Sequence, residues 1–148
     1  MQITVATHDD IDDLCRLLDV LFTQEVEFTP DHVAQRRGLA MIIENPAVGQ
    51  ILIARQQGIA VGMVNLLFTV STALGKCVAL LEDMVVMPDA RNSGAGSALM
   101  QKAIEIAKSA GCGRVTVLSD VDNTAAHRFY QRHHFTGSAM LPLRLMLD

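Results

Sequence analysis

The chain has 148 residues, half of them hydrophobic and 19% charged. That composition fits one domain of ordinary size and excludes a disordered polymer. Lys plus Arg total 12 against 16 Asp plus Glu, a net charge of −4, so no global positive field is available to grip a nucleic acid by its phosphates. The start, Met1-Gln2-Ile3-Thr4, has neither the basic residues nor the apolar block of a signal peptide. The longest apolar region, residues 59–74, is broken by Gly62, Asn65, Thr69, Ser71 and Thr72, whereas a membrane span needs about 20 apolar residues. Cys15, Cys77 and Cys112 are far apart in sequence and form no C-x-x-C. That usage fits a reducing compartment, with cysteine as a small buried hydrophobe. The expectation is a single domain over 1–148, cytoplasmic, with no nucleic-acid or membrane partner.

In chain order, residues 3–6 predict a first strand. Thr7-His8-Asp9-Asp10 is a helix-start cue, and Ile11, Leu14, Cys15, Leu17, Leu18 and Leu21 keep a 3.6-residue rhythm behind it. An irregular stretch ends at Pro30, and 31–44 predicts a second helix stopping before Asn45-Pro46. A meander follows: a strand over 51–54, a turn at 56–58, a long strand over 59–70, a turn around Gly75 and a third strand over 77–86. Arg91 to Gly96 opens a helix whose apolar set is Leu99, Met100, Ala103, Ile104 and Ala107. Short segments remain: a strand over 114–118, a helix over 123–133 and a final strand over 139–147. The order β-α-α-β-β-β-α-β-α-β implies an α/β (α+β) fold with a mixed, mainly antiparallel sheet flanked by helices on both faces.

Three places can carry chemistry. Between Val86 and Ser97 a strand ends, Gly94 and Gly96 follow, and a helix begins at once. Glycines there let backbone N–H groups converge, the helix N-terminus adds partial positive charge, and Arg91 can add a guanidinium, which together make an anion cradle. A plain tight turn is the other reading. The P-loop is excluded, since Gly96 is followed by Ser97-Ala98, and so is the dinucleotide fingerprint, which needs a third Gly or Ala where Leu99 stands. In the second place, Asn123 is a good N-cap and Tyr130 lies two turns on. Its phenol can donate a proton to a leaving anion, or serve only as an amphipathic group at a seam. The third is Glu82-Asp83 inside an apolar strand. Neighbouring side chains point to opposite faces, so one carboxylate there is either a pKa-shifted base or an edge group paired with a helix.

Arg91-Asn92-Ser93-Gly94-Ala95-Gly96 matches [QR]-x-x-G-x-[GA], and Asn123, Ala126, Phe129 and Tyr130 match Asn-x-x-Ala-x-x-Phe-Tyr. With the element order, these make the chain similar to the GNAT superfamily of N-acetyltransferases, which transfer acetyl from acetyl-CoA to an amine. The resemblance implies that backbone N–H groups at Asn92, Gly94, Gly96 and Ser97 hold the CoA pyrophosphate. It implies that Met84 and Val86 offer backbone groups to the acetyl carbonyl and the pantetheine amides, that Asn123 contacts the cofactor arm, and that Tyr130 protonates the CoA thiolate. Residues 81–87 also resemble spermidine/spermine-type acetyltransferases, which implies Glu82 as the base that deprotonates the amine. Asn92, Ser93, Ala90 and His134 depart from the family's common residues. Asn92 and His134 stand where glycine is usual, Asn92 being able to take the left-handed conformation itself.

The acceptor implied is a small-molecule primary amine. A protein lysine or N-terminus, or a non-catalytic acyl-CoA-binding module, are the alternatives. The five histidines offer no ligand spacing, so no metal is expected. Asp9, Asp10, Asp12, Asp13, Asp19, Glu25 and Glu27 make the N-terminal third acidic, which either attracts a cationic amine or forms a solvated helix face. The eight methionines are core filler or an adaptable acceptor pocket. The apolar run over 140–147 suggests a face covered by a second copy, hence a homodimer.

Overall fold

The computed structural model describes residues 1–24 and 29–147. The chain packs as two compact units, Met1–Leu118 and Ser119–Asp148.

The first unit is built on a five-stranded sheet in the order β1-β2-β3-β4-β5. The strands are β1 (Gln2–Val5), β2 (Gly49–Gln56), β3 (Ile59–Ser71), β4 (Lys76–Val86) and β5 (Val115–Val117). The first three pairings are antiparallel and β4 to β5 is parallel. Two helices, α1 (Ile11–Gln24) and α2 (His32–Ile43), come before the meander, and α3 (Ala95–Ser109) crosses from β4 to β5. The α1 stripe read from the sequence is the buried one: Leu14, Cys15, Leu17 and Leu18 pack with Leu39, Ile51, Ile53, Met63 and Val85. Strand alternation then sends Leu52 and Val64 to the other face, where Leu99, Met100, Ala103 and Ala107 of α3 are buried. Burying a Leu or Ile side chain stabilises by about 1.5–3 kcal/mol, so both faces contribute.

Local chemistry fixes the ends. The Thr7 N–H donates to Asp10 at 2.8 Å, and Asp31 caps α2 by accepting from Val33 and Ala34. At the far end of α3, Gly111 has φ 82°, and the Cys112 N–H reaches back to the Ala107 carbonyl at 2.9 Å, a Schellman closure that needs a left-handed residue. Cys77 and Cys112, 35 residues apart, have Sγ atoms 2.8 Å from each other. Of the three thiols only Cys15 is fully buried, so the reading of isolated core cysteines holds for Cys15 alone. Residues 25–28, including Glu25, Glu27 and most of the irregular stretch before Pro30, lie outside the described residues.

The second unit holds α4 (Thr124–Arg132). Asn123 caps it, its Oδ1 accepting from the Ala126 N–H at 3.1 Å. His134 takes φ 72°, the left-handed position usually given to glycine. The predicted last strand over 139–147 does not form. The segment has strand composition, but no neighbouring strand among the described residues pairs with it, and Pro142 lacks an N–H. Leu141, Leu143, Leu145 and Leu147 are 78–88% exposed. A strand exists only through its ladder, and alternating leucines cannot substitute for a partner.

Candidate active site

The turn between β4 and α3 is shaped by backbone conformation. Pro88–Ala90 forms a 3-10 turn, after which Asn92 (φ 64°) and Gly94 (φ 89°) both adopt the left-handed region. Left-handed residues at two of three successive positions are the kind of backbone from which anion nests are built. Gly94 is the N-cap of α3, its carbonyl accepting from the Ala98 N–H at 3.0 Å, and a helix start directs the N–H groups ahead of that bond to partners outside the intrahelical ladder. A Cβ at Gly94 would meet nothing within 4 Å, so the cradle is open at that point. Ser93 is tied back, its N–H and hydroxyl both donating to the Ala90 carbonyl. Arg91 stands beside the nest as expected, but its Nε donates to the Val86 carbonyl at 3.2 Å. These residues fit a pyrophosphate.

The end of β4 supplies an open edge. Its pairing with β5 covers only Ala79, Leu80 and Leu81. Backbone groups of successive strand residues point to opposite edges. The Met87 N–H bonds to Val61 of β3, so the groups of Val86 and Met84 face the other edge, where among the described residues of this unit no strand pairs beyond Leu81.

A bulge decides which carboxylate enters the protein. The β3–β4 register runs Met63 to Val85 and then Asn65 to Glu82, leaving Asp83 and Met84 opposite the single residue Val64. Such an extra residue re-aims side chains, and here Asp83 absorbs it with φ 52°. The outcome is that Glu82 is exposed while Asp83 is partly buried. Asp83 accepts from the Asn65 side-chain amide at 2.5 Å. Burial pushes its carboxyl up to about 6, the Glu82 charge adds to the rise, and the Asn65 hydrogen bond opposes it.

Asp83 and Asn65 line a cavity of about 320 Å³ on the α1/α2 side of the sheet, walled by Leu18, Phe22, Leu39 and Ile42. Thr29, Asp31 and Gln35 are its other polar groups, Gln35 donating to Asp19 at 3.2 Å. Sequence reading missed Gln35 and Asn65. The available signals were a polar residue within an apolar strand and a Gln at helical spacing from Leu39. The acidic N-terminal third is largely paired: Asp10 and Asp13 with Arg55, Asp12 with Arg36, and Asp19 with His32. No methionine lines the cavity among the described residues; Met63 and Met100 are core.

In the second unit, Tyr130 packs edge-on against Phe129 and Phe135, with ring centres 5.5 and 5.7 Å away. Asn123 spends its side-chain oxygen on the helix cap, which leaves its amide N–H groups as the side-chain donors for a ligand. Among the described residues no helix is long and apolar enough to cross a membrane.

Comparison with known proteins agrees with this architecture. The model of the acetyltransferase (GNAT) family matches residues 11–135. Aminoalkylphosphonate N-acetyltransferase of Salmonella typhimurium is 30% identical over 133 residues, 90% of this chain and 83% of that protein. Streptothricin acetyltransferase A of Bacillus subtilis is 47% identical over 63 residues, 42% of this chain and 36% of its own length. A Trypanosoma brucei acetyltransferase superposes with TM-score 0.77 at 27% identity, covering 99% of both chains. With a five-stranded mixed sheet, a nest at the head of α3 and a family match spanning most of its length, the chain belongs to the GNAT family of acetyltransferases.

Proposed function

We propose that the protein transfers acetyl from acetyl-CoA to a small-molecule primary amine, and that residues 1–148 act as one domain in doing so. The observation that carries the cofactor assignment is the pair of left-handed residues, Asn92 and Gly94, directly ahead of the α3 N-terminus. Acetyl-CoA would supply an activated thioester. The chain's own residues do the rest. Backbone N–H groups at Asn92, Gly94, Gly96 and Ser97 hold the pyrophosphate, with Arg91 alongside. Met84 and Val86 orient the thioester arm from the open edge of β4, and a strand N–H near Met84 is the oxyanion donor. Asn123 contacts the arm. Tyr130 gives a proton to the departing sulfur, and a β4 carboxylate, Glu82 or Asp83, takes one from the amine. Much of the rate comes from holding thioester and amine together.

The names of the relatives, an aminoalkylphosphonate and a streptothricin acetyltransferase, support a small-molecule acceptor over a protein one. The resemblance of residues 81–87 to spermidine/spermine-type enzymes supports a base on this strand. Calorimetry with coenzyme A, paired with thiol release over a panel of amines, tests the reading. Binding and turnover are expected, with Tyr130→Phe lowering kcat and leaving the acetyl-CoA KM nearly unchanged. No heat with millimolar coenzyme A would overturn the assignment, and coenzyme A binding without turnover on any amine would favour the acyl-CoA-binding module.

The exposed leucines of the C-terminal segment support a homodimer, each copy covering the other's apolar run. Sedimentation at tens of micromolar is expected to give a dimer, and Leu143→Glu with Leu145→Glu a monomer.

A further inference from the structure

Cys77 and Cys112 are 35 residues apart in sequence, and the fold brings their Sγ atoms to 2.8 Å. Both are free thiols and both are partly exposed. A disulfide needs its sulfurs at about 2.0 Å, so closing this pair moves them by less than about 1 Å. Backbone hydrogen bonds hold each cysteine in place. Cys77 lies in the first turn of the β4 ladder, and its carbonyl accepts from the Gly113 N–H at 2.8 Å. Two residues on, the Ala79 N–H donates to the Arg114 carbonyl at 2.9 Å. Cys112 follows the left-handed Gly111 and is fixed by its own N–H bond to Ala107 at the end of α3. The meeting of the two thiols is therefore set by the β4–β5 pairing and the α3 cap.

Their surroundings differ. Cys77 lines a cavity of about 560 Å³ on the α3 side of the sheet, together with Gln50, Phe68, Lys102 and Ser109, whereas Cys112 is not among its lining residues. Burial, with the Cys77 sulfur beside it, raises the Cys112 thiol above its ordinary range, so Cys112 keeps its proton at neutral pH. We propose that Cys77 and Cys112 form a reversible thiol–disulfide switch, with Cys77 attacking a low-molecular-weight disulfide from the cavity and Cys112 resolving the adduct. The Cys77 thiolate attacks one sulfur of R–S–S–R, forming the Cys77–SR bond and releasing RS⁻, which takes up the proton that Cys77 lost. Cys112 then attacks the Cys77 sulfur, and the second RS⁻ leaves with the Cys112 proton. Two protein thiols are oxidised to one disulfide, and R–S–S–R is reduced to two RSH. Gln50, Lys102 and Ser109 offer polar groups to a carboxylate or amide carried by R. Cys15, fully buried, takes no part. Against a thiol-rich background such a crosslink is transient, which makes the pair a sensor.

The crosslink acts on the fold and spares the cradle. It closes a loop over 77–112 that holds most of β4, the turn ahead of α3 and α3 itself, and closing a loop of that length restricts the unfolded chain. The cradle lies at the other end of α3, whose 15 residues span about 22 Å.

The test uses the reduced full chain and millimolar oxidised glutathione, and it does not depend on the acetyl-transfer reading. Titratable thiols in denaturant are expected to fall from three to one per chain. The intact mass should show the loss of two hydrogens with no glutathione adduct, and a peptide map should join Cys77 to Cys112 within one chain. Tm is expected to rise by about 5–10 °C and to return on addition of dithiothreitol. Coenzyme A affinity should stay within about twofold, because the crosslink and the cradle share no partners. Cys112→Ser should stop at a stable glutathione adduct on Cys77, while Cys15→Ser should close the crosslink as the wild type does. Three thiols left after prolonged incubation, an adduct that persists in the wild type, a crosslink through Cys15 or between chains, or a Tm that falls on oxidation would each overturn the proposal and leave the acetyl-transfer reading standing.

Discussion

The protein has two candidate binding regions made of different materials. The cradle ahead of α3 is made of backbone: two left-handed residues and the first turn of a helix, with side chains contributing little. The cavity under α1 and α2 is made of side chains: two carboxylates, two amides and a threonine set in an aliphatic and aromatic wall. Backbone sites depend on conformation and tolerate exchange of most side chains, whereas side-chain sites depend on the identity of each group. A cradle of the first kind can serve one invariant ligand, and a cavity of the second kind can be retuned for many.

The largest expected effect that separates the two regions is on stability. In the folded chain the Asp83 carboxyl titrates near 6, against an ordinary 3.8. Below pH 3.8 it is protonated in both folded and unfolded chains and contributes nothing to pH dependence. Between 3.8 and about 6 the folded chain keeps a proton that the unfolded chain has released, so stability falls as pH rises. Above 6 both are ionised and the full cost remains, about 3 kcal/mol from this group. Glu82 is the neighbouring charge that adds to it, and Asn65 is the donor that opposes it. Asp83→Asn removes the ionisation. Denaturation of the variant should match wild type near pH 4 and exceed it by about 3 kcal/mol at pH 8. A substitution that lowers turnover while strengthening the fold would mark Asp83 as a group kept for chemistry. An unchanged difference from pH 4 to 8 would show that burial does not set its titration.

The contrast in materials also explains what the sequence disclosed. Turn chemistry is written one residue at a time: Gly94 and Asn92 in a strand-to-helix junction announce left-handed backbone, and the structure has it at both. Periodicity placed the helices and the first five strands, because Leu14, Leu17 and Leu18, or Leu99, Ala103 and Ala107, are buried for the reason that makes them periodic. The orientation of Glu82 and Asp83 was not legible. Strict alternation leaves the two equivalent, and a register shift between Met63 and Asn65, set by a strand some twenty residues away, decides between them. Gln35 and Asn65 are thirty residues apart in sequence, and only the folded chain brings both to the wall of one cavity. The meeting of Cys77 with Cys112, and the absence of a ladder for residues 139–147, are likewise facts about partners, which local sequence does not encode.

The smallest expected effects lie in the cradle and sharpen the comparison from its other side. Gly94 has φ 89°, and a Cβ there would meet nothing within 4 Å. Gly94→Ala therefore acts through conformation alone, at about 1–2 kcal/mol of stability. The turn can also escape that strain by rotating its amides, so coenzyme A affinity measured by calorimetry is expected to fall about tenfold. Asn92 sits at φ 64°, which its short polar side chain tolerates. Asn92→Gly should therefore shift stability by no more than about 0.5 kcal/mol and coenzyme A affinity by no more than about twofold. A large loss in Asn92→Gly would mean that its side chain, and not only its backbone, touches the pyrophosphate, and the division between a backbone site and a side-chain site would have to be redrawn at that residue.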